Sequence, residues 1–157
     1  MSDYLDGDDK FATTADCVGD HNCRVVLDQE AVCISCDASA VIQGPDVVRP
    51  DFVIASTDFN GQFVWLVVEM STGQKRASTA HGQLRAGIAM LTQSGIPTPS
   101  GARLAALVLI PKEISVVDLQ TLSLPKYRLT FAKRPVIPRL RSCGESLSTL
   151  TRTAFKA

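Results

Sequence analysis

The apolar positions of this chain fall into short runs and one long helical stripe, separated by turn residues. Arg24-Val25-Val26-Leu27-Asp28 and Ala31-Val32-Cys33-Ile34-Ser35 read as strands. Residues 37–50, with Gly44-Pro45 and Pro50, read as a loop. The runs Phe52-Val53-Ile54-Ala55 and Phe63 to Met70 flank Asp58-Phe59-Asn60-Gly61-Gln62, and Asn-Gly between two strand-like runs is a strong hairpin signal. The second of these runs is apolar on both faces, which predicts a central strand. From about Lys75 to Thr92, Ala77, Ala80, Leu84, Ile88 and Leu91 recur at helical spacing, and Gly95 to Gly101 ends the helix. Arg103 to Ile110 is a continuous apolar run suited to a fully buried strand, stopped by Pro111. A short helix around Val116 to Leu122 follows. Tyr127 to Phe131 and Val136 to Leu140 read as peripheral strands, the latter kept near an edge by Pro135 and Pro138. The tail after Ser142 is weakly patterned. Strand, helix, strand in that order requires a crossover and parallel pairing, so the expected fold is α/β with a mixed sheet flanked by helices and extra C-terminal strands.

At 157 residues the chain suits one domain with one substantial core. Residues 1–22 form an acidic arm or short helix, 23–110 the core and 111–157 a basic C-terminal extension. No apolar run approaches bilayer length, and the acidic N-terminus lacks the layout of a signal peptide, which predicts an intracellular, cytoplasmic protein with no membrane partner. The net charge of zero conceals an asymmetry: residues 1–50 hold ten acids against three bases, residues 51–157 six against thirteen. Lys126, Arg128, Lys133, Arg134, Arg139 and Arg141 fall within 126–141 with no acid among them, a stretch able to contact phosphates or to serve as a solvated basic face.

Five cysteines without a signal peptide argue against a disulfide framework. Cys17, Cys23, Cys33 and Cys36 lie close enough in sequence to suggest zinc. Cys33 and Cys36, however, are three apart in a strand-like run and so point to opposite faces, and no glycine follows as a knuckle turn would welcome. The expectation is small buried hydrophobes, not structural Zn²⁺. His21 and His81 have no partner at a recognised spacing and read as surface residues.

The hairpin carries the chemistry. Asp51 opens its first strand and Glu69 lies inside its second. If the loop is Phe59 to Gly61, with Gly61 left-handed in a bulge, Asp51 faces Glu69. If the loop is Asn60-Gly61 alone, the two point to opposite faces. In the first register a divalent cation can bridge them, and a carboxylate in an apolar strand is costly unless paired or metal-bound. Asp51 after Pro50 could equally close a turn, and Glu69 could reach solvent or pair with an arginine.

Pro50-Asp51, then Glu69-Met70-Ser71 in an apolar strand, then a helix carrying Gln83, resembles the PD-(D/E)xK (restriction-endonuclease-like) nuclease superfamily over roughly residues 15–110. The resemblance implies an αβββαβ core and Mg²⁺ (or Mn²⁺)-dependent cleavage of DNA. Asp51 and Glu69 would be the metal ligands, with the Met70 carbonyl as a third oxygen. Gln83 matches the glutamine that RecB-like members place near the site. The chain departs from the family at Ser71, where lysine is expected. Lys75, near the helix start and on the helical face of Gln83, or Lys10, if the arm folds back, would replace it; Arg76, always protonated, is the poorer base. The basic residues from Lys126 to Arg141 would grip the DNA backbone, and a homodimer or a larger assembly would supply specificity. The alternative is a catalytically inactive nuclease-fold domain that binds nucleic acid or serves as a structural subunit. No glycine-rich phosphate loop, dinucleotide fingerprint or Ser-His-Asp arrangement supports a kinase, dehydrogenase or serine hydrolase.

Overall fold

A computed structural model describes residues 16–19, 23–36, 48–71, 76–93, 98–111 and 117–155. Its centre is β5 (Phe63–Met70), a strand buried on both faces as its unbroken apolar run demands. It pairs antiparallel with β4 (Phe52–Thr57), which pairs antiparallel with β3 (Val32–Ser35). Helix α1 (Ala77–Gln93) then crosses over, and β6 (Arg103–Ile110) returns parallel to β5. The last strand, β9 (Arg139–Ser142), lies parallel to the second half of β6, giving the five-stranded mixed sheet β3-β4-β5-β6-β9. Two antiparallel pairs lie outside this sheet: β1 (Asp16–Val18) with β2 (Arg24–Val26), and β7 (Leu129–Phe131) with β8 (Arg134–Val136). The protein is therefore mixed α/β, and no helix among the described residues is long and apolar enough to cross a membrane.

Hairpin chemistry sets the register. The Asp58 amide donates to the Gln62 carbonyl at 2.8 Å and the Gly61 amide to the Asp58 carbonyl at 3.0 Å. Gly61 adopts φ +76°, the left-handed conformation that costs glycine nothing. The Asp58 carboxylate, buried in the turn, accepts from the amides of Asn60 (2.8 Å) and Gln62 (3.0 Å). The loop is thus Phe59 to Gly61 with a glycine bulge, and Phe52 pairs with Val68.

Alternation then divides the core into two layers. Val53, Ala55, Trp65, Val67, Leu104, Ala106 and Val108 face α1, the 3-10 turn Leu119–Ser123 and the β7–β8 hairpin. Phe52, Ile54, Leu66, Val68, Leu107 and Leu109 face β1, β2 and helix α2 (Leu147–Ala154). The buried side of α1 repeats at 77, 80, 84, 87, 88 and 91, and the first amide of the helix is capped by the Asp118 carboxylate at 2.6 Å. Gly87 lets the helix sit directly on the sheet, because a Cβ there would lie 2.5 Å from Val67 Cγ1 and 2.9 Å from Pro50 Cγ.

Several elements differ from the sequence expectation. Residues 16–18, within the expected arm or short helix, form strand β1. The helix expected near Val116 to Leu122 is a 3-10 turn displaced to 119–123. The weakly patterned tail holds α2, whose Leu147, Leu150 and Thr151 are buried, with Ser146 as N-cap. The amide of Ser148 donates to Asp28 at 2.9 Å, and the Ser148 hydroxyl bonds the same carboxylate. Burial pushes the Asp28 carboxyl up, but these hydrogen bonds outweigh it and hold it below the usual carboxylate range. The largest correction concerns cysteine. Cys17 is bonded to Cys33 and Cys23 to Cys143, while Cys36 is a buried thiol. Cys17, Cys23 and Cys33 share one face of the sheet and Cys36 the other, as strand alternation requires.

Candidate functional site

The observed register places Asp51 beside Glu69 at the end of the β4–β5 ladder. The Asp51 amide donates to Glu69 Oε1 at 3.1 Å, and the Met70 amide donates to Asp51 Oδ2 at 2.8 Å. Each carboxylate thus secures the backbone next to the other, extending the pairing beyond Phe52 and Val68. Asp51 is half-buried, and Glu69 is only 2% exposed. A buried carboxylate is costly unless hydrogen-bonded or charge-compensated, and this reciprocal arrangement supplies hydrogen bonds to both acids.

The neighbouring elements hold the acids in place. The Ser71 amide donates to the Leu109 carbonyl at 2.9 Å, tying the end of β5 to β6. The Cys36 amide donates to the Asp51 carbonyl at 3.0 Å, tying the start of β4 toward β3. From α1, Gln83 Nε2 reaches the Arg49 carbonyl at 3.3 Å, two residues from Asp51. Gln83 therefore comes to the same short stretch of chain as the acids, on the face that α1 covers. Ser71, at the position where the family resemblance expects lysine, is 6% exposed. Lys75 and Lys10 lie outside the described residues.

Two hard carboxylate sites on one face suit Mg²⁺ or Mn²⁺, which take one or two protein carboxylates and complete their shells with water and phosphate oxygens. Among the described residues there is no cluster of three or more His, Cys, Asp or Glu that would form an all-protein metal cage. Met70 contributes its amide to Asp51, and its side chain packs in the opposite layer.

The basic residues from Lys126 to Arg141 separate into distinct settings. Lys126 Nζ stands 5.0 Å from the centroid of the Tyr127 ring. Arg141 makes a two-pronged ion pair with Glu145, at 3.0 and 2.8 Å, which neutralises it locally. Arg128 and Lys133 are exposed, Lys133 at φ +65° in the β7–β8 turn. Arg134 and Arg139 line a cavity together with Arg103. His81, read as a surface residue, is half-buried, its ring 5.3 Å from that of Tyr127. Burial, and secondly the nearby Arg85 charge, hold its imidazole below the ordinary value. Reasoning from sequence missed Arg103 and Asp118; each acts on segments distant in the chain, and no local spacing marks it.

Comparison of the chain with protein-family models, with curated proteins and with solved structures gives no match.

Proposed function

We propose that this chain is a metal-dependent phosphodiesterase acting on DNA, built on a restriction-endonuclease-like core. The observation that carries the reading is the reciprocal pairing of Asp51 and Glu69, two acids from adjacent strands on one face of the sheet, with Glu69 almost wholly buried. The order of elements from β3 onward supports it, a three-strand meander β3-β4-β5, a crossover helix and a parallel β6, although strands β1 and β2, and no helix among the described residues, precede β3. A bound Mg²⁺ or Mn²⁺ would neutralise charge on the scissile phosphate and render a water nucleophilic. Asp51 and Glu69 provide the hard oxygens and, through their backbone contacts, hold a fixed separation. Gln83 holds the chain just before Asp51 through the Arg49 carbonyl, and Lys75 would supply the amine expected of a lysine at 71. Arg128 and Lys133 remain available for the DNA backbone, whereas Arg141 contributes less because Glu145 neutralises it. In this reading the protein works in the cytoplasm, as a homodimer or within a larger assembly. The two disulfides pull the other way, since cytosolic proteins seldom keep them.

A second reading is favoured by Ser71. A short, buried hydroxyl at the lysine position leaves metal binding intact and removes the usual amine, which describes an inactive nuclease-fold domain that binds nucleic acid or supports an assembly. Cleavage separates the two. Wild type, Glu69→Ala and Lys75→Ala are incubated with linear, circular and single-stranded DNA in Mg²⁺ or Mn²⁺. The nuclease reading expects metal-dependent cleavage that Glu69→Ala abolishes, with a loss of roughly 100-fold or more in Lys75→Ala. Folded wild type that cuts none of these substrates refutes it in favour of the binding-only domain.

A further inference from the structure

We infer that the cavity at the start of β6 is a binding site for a phosphate group carried on a nucleotide-sized ligand, separate from the two acids. The cavity has a volume of about 480 Å³ and is lined by Arg103, Arg134 and Arg139, with no aspartate or glutamate among the described residues of its wall. That volume lies in the range of small-ligand pockets. Among the described residues none of the three arginines is in an ion pair; Arg103 instead lies over the Phe155 ring, 5.1 Å from its centroid. Three guanidinium groups around one concavity, with no acidic partner among the described residues, focus a positive potential into it.

The fold explains why the cavity exists. Strand β9 begins at Arg139 and pairs with β6 only from Leu107 onward, so Arg103 to Ala106 have no strand on that side among the described residues. The β7–β8 hairpin and the end of α2 close the space, bringing the Phe131 and Phe155 rings to its wall. The carbonyl end of α2 also borders it, but that partial charge is about −0.5, against three full positive charges. A phosphomonoester, with nearly two negative charges and three acceptor oxygens, satisfies three guanidinium forks better than a carboxylate does. The aromatic rings offer an apolar surface to the group that bears the phosphate.

The cavity is not an extension of the acid site. Neither Asp51 nor Glu69 lines it: Glu69 is level with Val108 in the β5–β6 register, about 17 Å along the strand from Arg103, and Arg139, level with Leu107, lies on the far side of β6 from β5. Failure of the nuclease reading would therefore leave this proposal standing.

The test is calorimetric titration of the full chain, without divalent cation, with a nucleoside 5′-monophosphate, the matching nucleoside, and short oligonucleotides bearing a 5′-phosphate or a 5′-hydroxyl. Arg134 and Arg139 are exposed, so Arg134→Ala and Arg139→Ala leave the core untouched, and Arg85→Ala, on α1, serves as an exposed charge control outside the cavity. The expected result is saturable binding of the monophosphate but not the nucleoside, weakened roughly tenfold by each cavity variant and unchanged by Arg85→Ala. Tighter binding of the 5′-phosphorylated oligonucleotide than of the monophosphate identifies a strand end as the source; equal or weaker binding identifies a free nucleotide. No binding at millimolar monophosphate, equal binding of the nucleoside, or equal weakening by Arg85→Ala overturns the proposal.

Discussion

Breaking the Cys23–Cys143 bond should remove a large share of this protein's stability. The bond joins positions 120 residues apart, linking the segment before β2 to the residue after β9. By the chain-entropy relation a loop of that size restricts the unfolded state by about 5 kcal/mol, and the 16-residue separation of Cys17–Cys33 gives about 3 kcal/mol. Domains of this size have net stabilities of roughly 5–15 kcal/mol, so losing the long-range bond alone matters. With a urea dependence of about 2 kcal/mol per molar, the unfolding midpoint of oxidised Cys143→Ala should lie about 2.5 M below that of oxidised wild type. In reductant the two curves should nearly coincide, which separates the bond from the lost side-chain volume.

Thiol counting provides the independent check. Denatured without reductant, the protein should show one reactive thiol, from Cys36, and five after reduction. Five thiols before reduction, with wild-type urea curves that superimpose with and without reductant, would refute the reasoning. The cysteines would then be the small buried hydrophobes that the sequence suggested.

Two shorter predictions bear on the α1 side of the sheet. Gly87→Ala gains about 1 kcal/mol of helix propensity, but its Cβ would lie 2.5 Å from Val67 Cγ1, in a layer with no room to yield. Overpacking of about 1–3 kcal/mol should prevail, seen as a lower urea midpoint; an unchanged or higher midpoint would show that the helix retreats freely. His81, whose imidazole is held below its ordinary value of 6.5, resists protonation in the fold more than in the unfolded chain. Stability should therefore fall as pH drops through 6.5 toward the folded value, and be insensitive to this group above that window. His81→Gln should flatten the decline in urea midpoint between about pH 7.5 and 5.5, and a slope identical to wild type would count against it.

The elements legible in the sequence were those whose signal is local. The unbroken apolar runs from Phe63 to Met70 and from Arg103 to Ile110, and the helical stripe from Ala77 to Leu91, each carry their signal within themselves, and the structure follows them. Asn60-Gly61 announced the hairpin but left its register open, because the loop length depends on whether Asp58 closes the turn through its own carboxylate. Helix α2 was obscured by serine and threonine, which form helices weakly in isolation; its stability comes from Leu147 and Leu150 packed on the sheet and from the Asp28 carboxylate at its first turn. The cysteines misled because redox environment was inferred from the N-terminal sequence, whereas Cys23 and Cys143 meet only once β9 and the following residues close on β2.

The same distinction governs the two candidate sites. Asp51 and Glu69 belong to consecutive strands of one hairpin, so two-residue alternation and one loop length suffice to bring them together. The arginine cavity needs β6, the β7–β8 hairpin, β9 and α2 to converge, and Arg103, Arg134 and Arg139 share no spacing that a sequence reader would group. Of the three, Arg103 stands about 17 Å along β6 from the level of Glu69, roughly two Debye lengths at physiological salt, whereas Arg139 is level with Leu107 on the far side of β6 from β5. Direct attraction across solvent between Arg103 and the carboxylates is thus largely screened. Strand β6 is paired on both sides beside the acids and has no β9 partner from Arg103 to Ala106, where the cavity lies. A change that shortens β9 from its start at Arg139 would therefore alter the cavity while leaving the Ser71–Leu109 contact beside the acids in place.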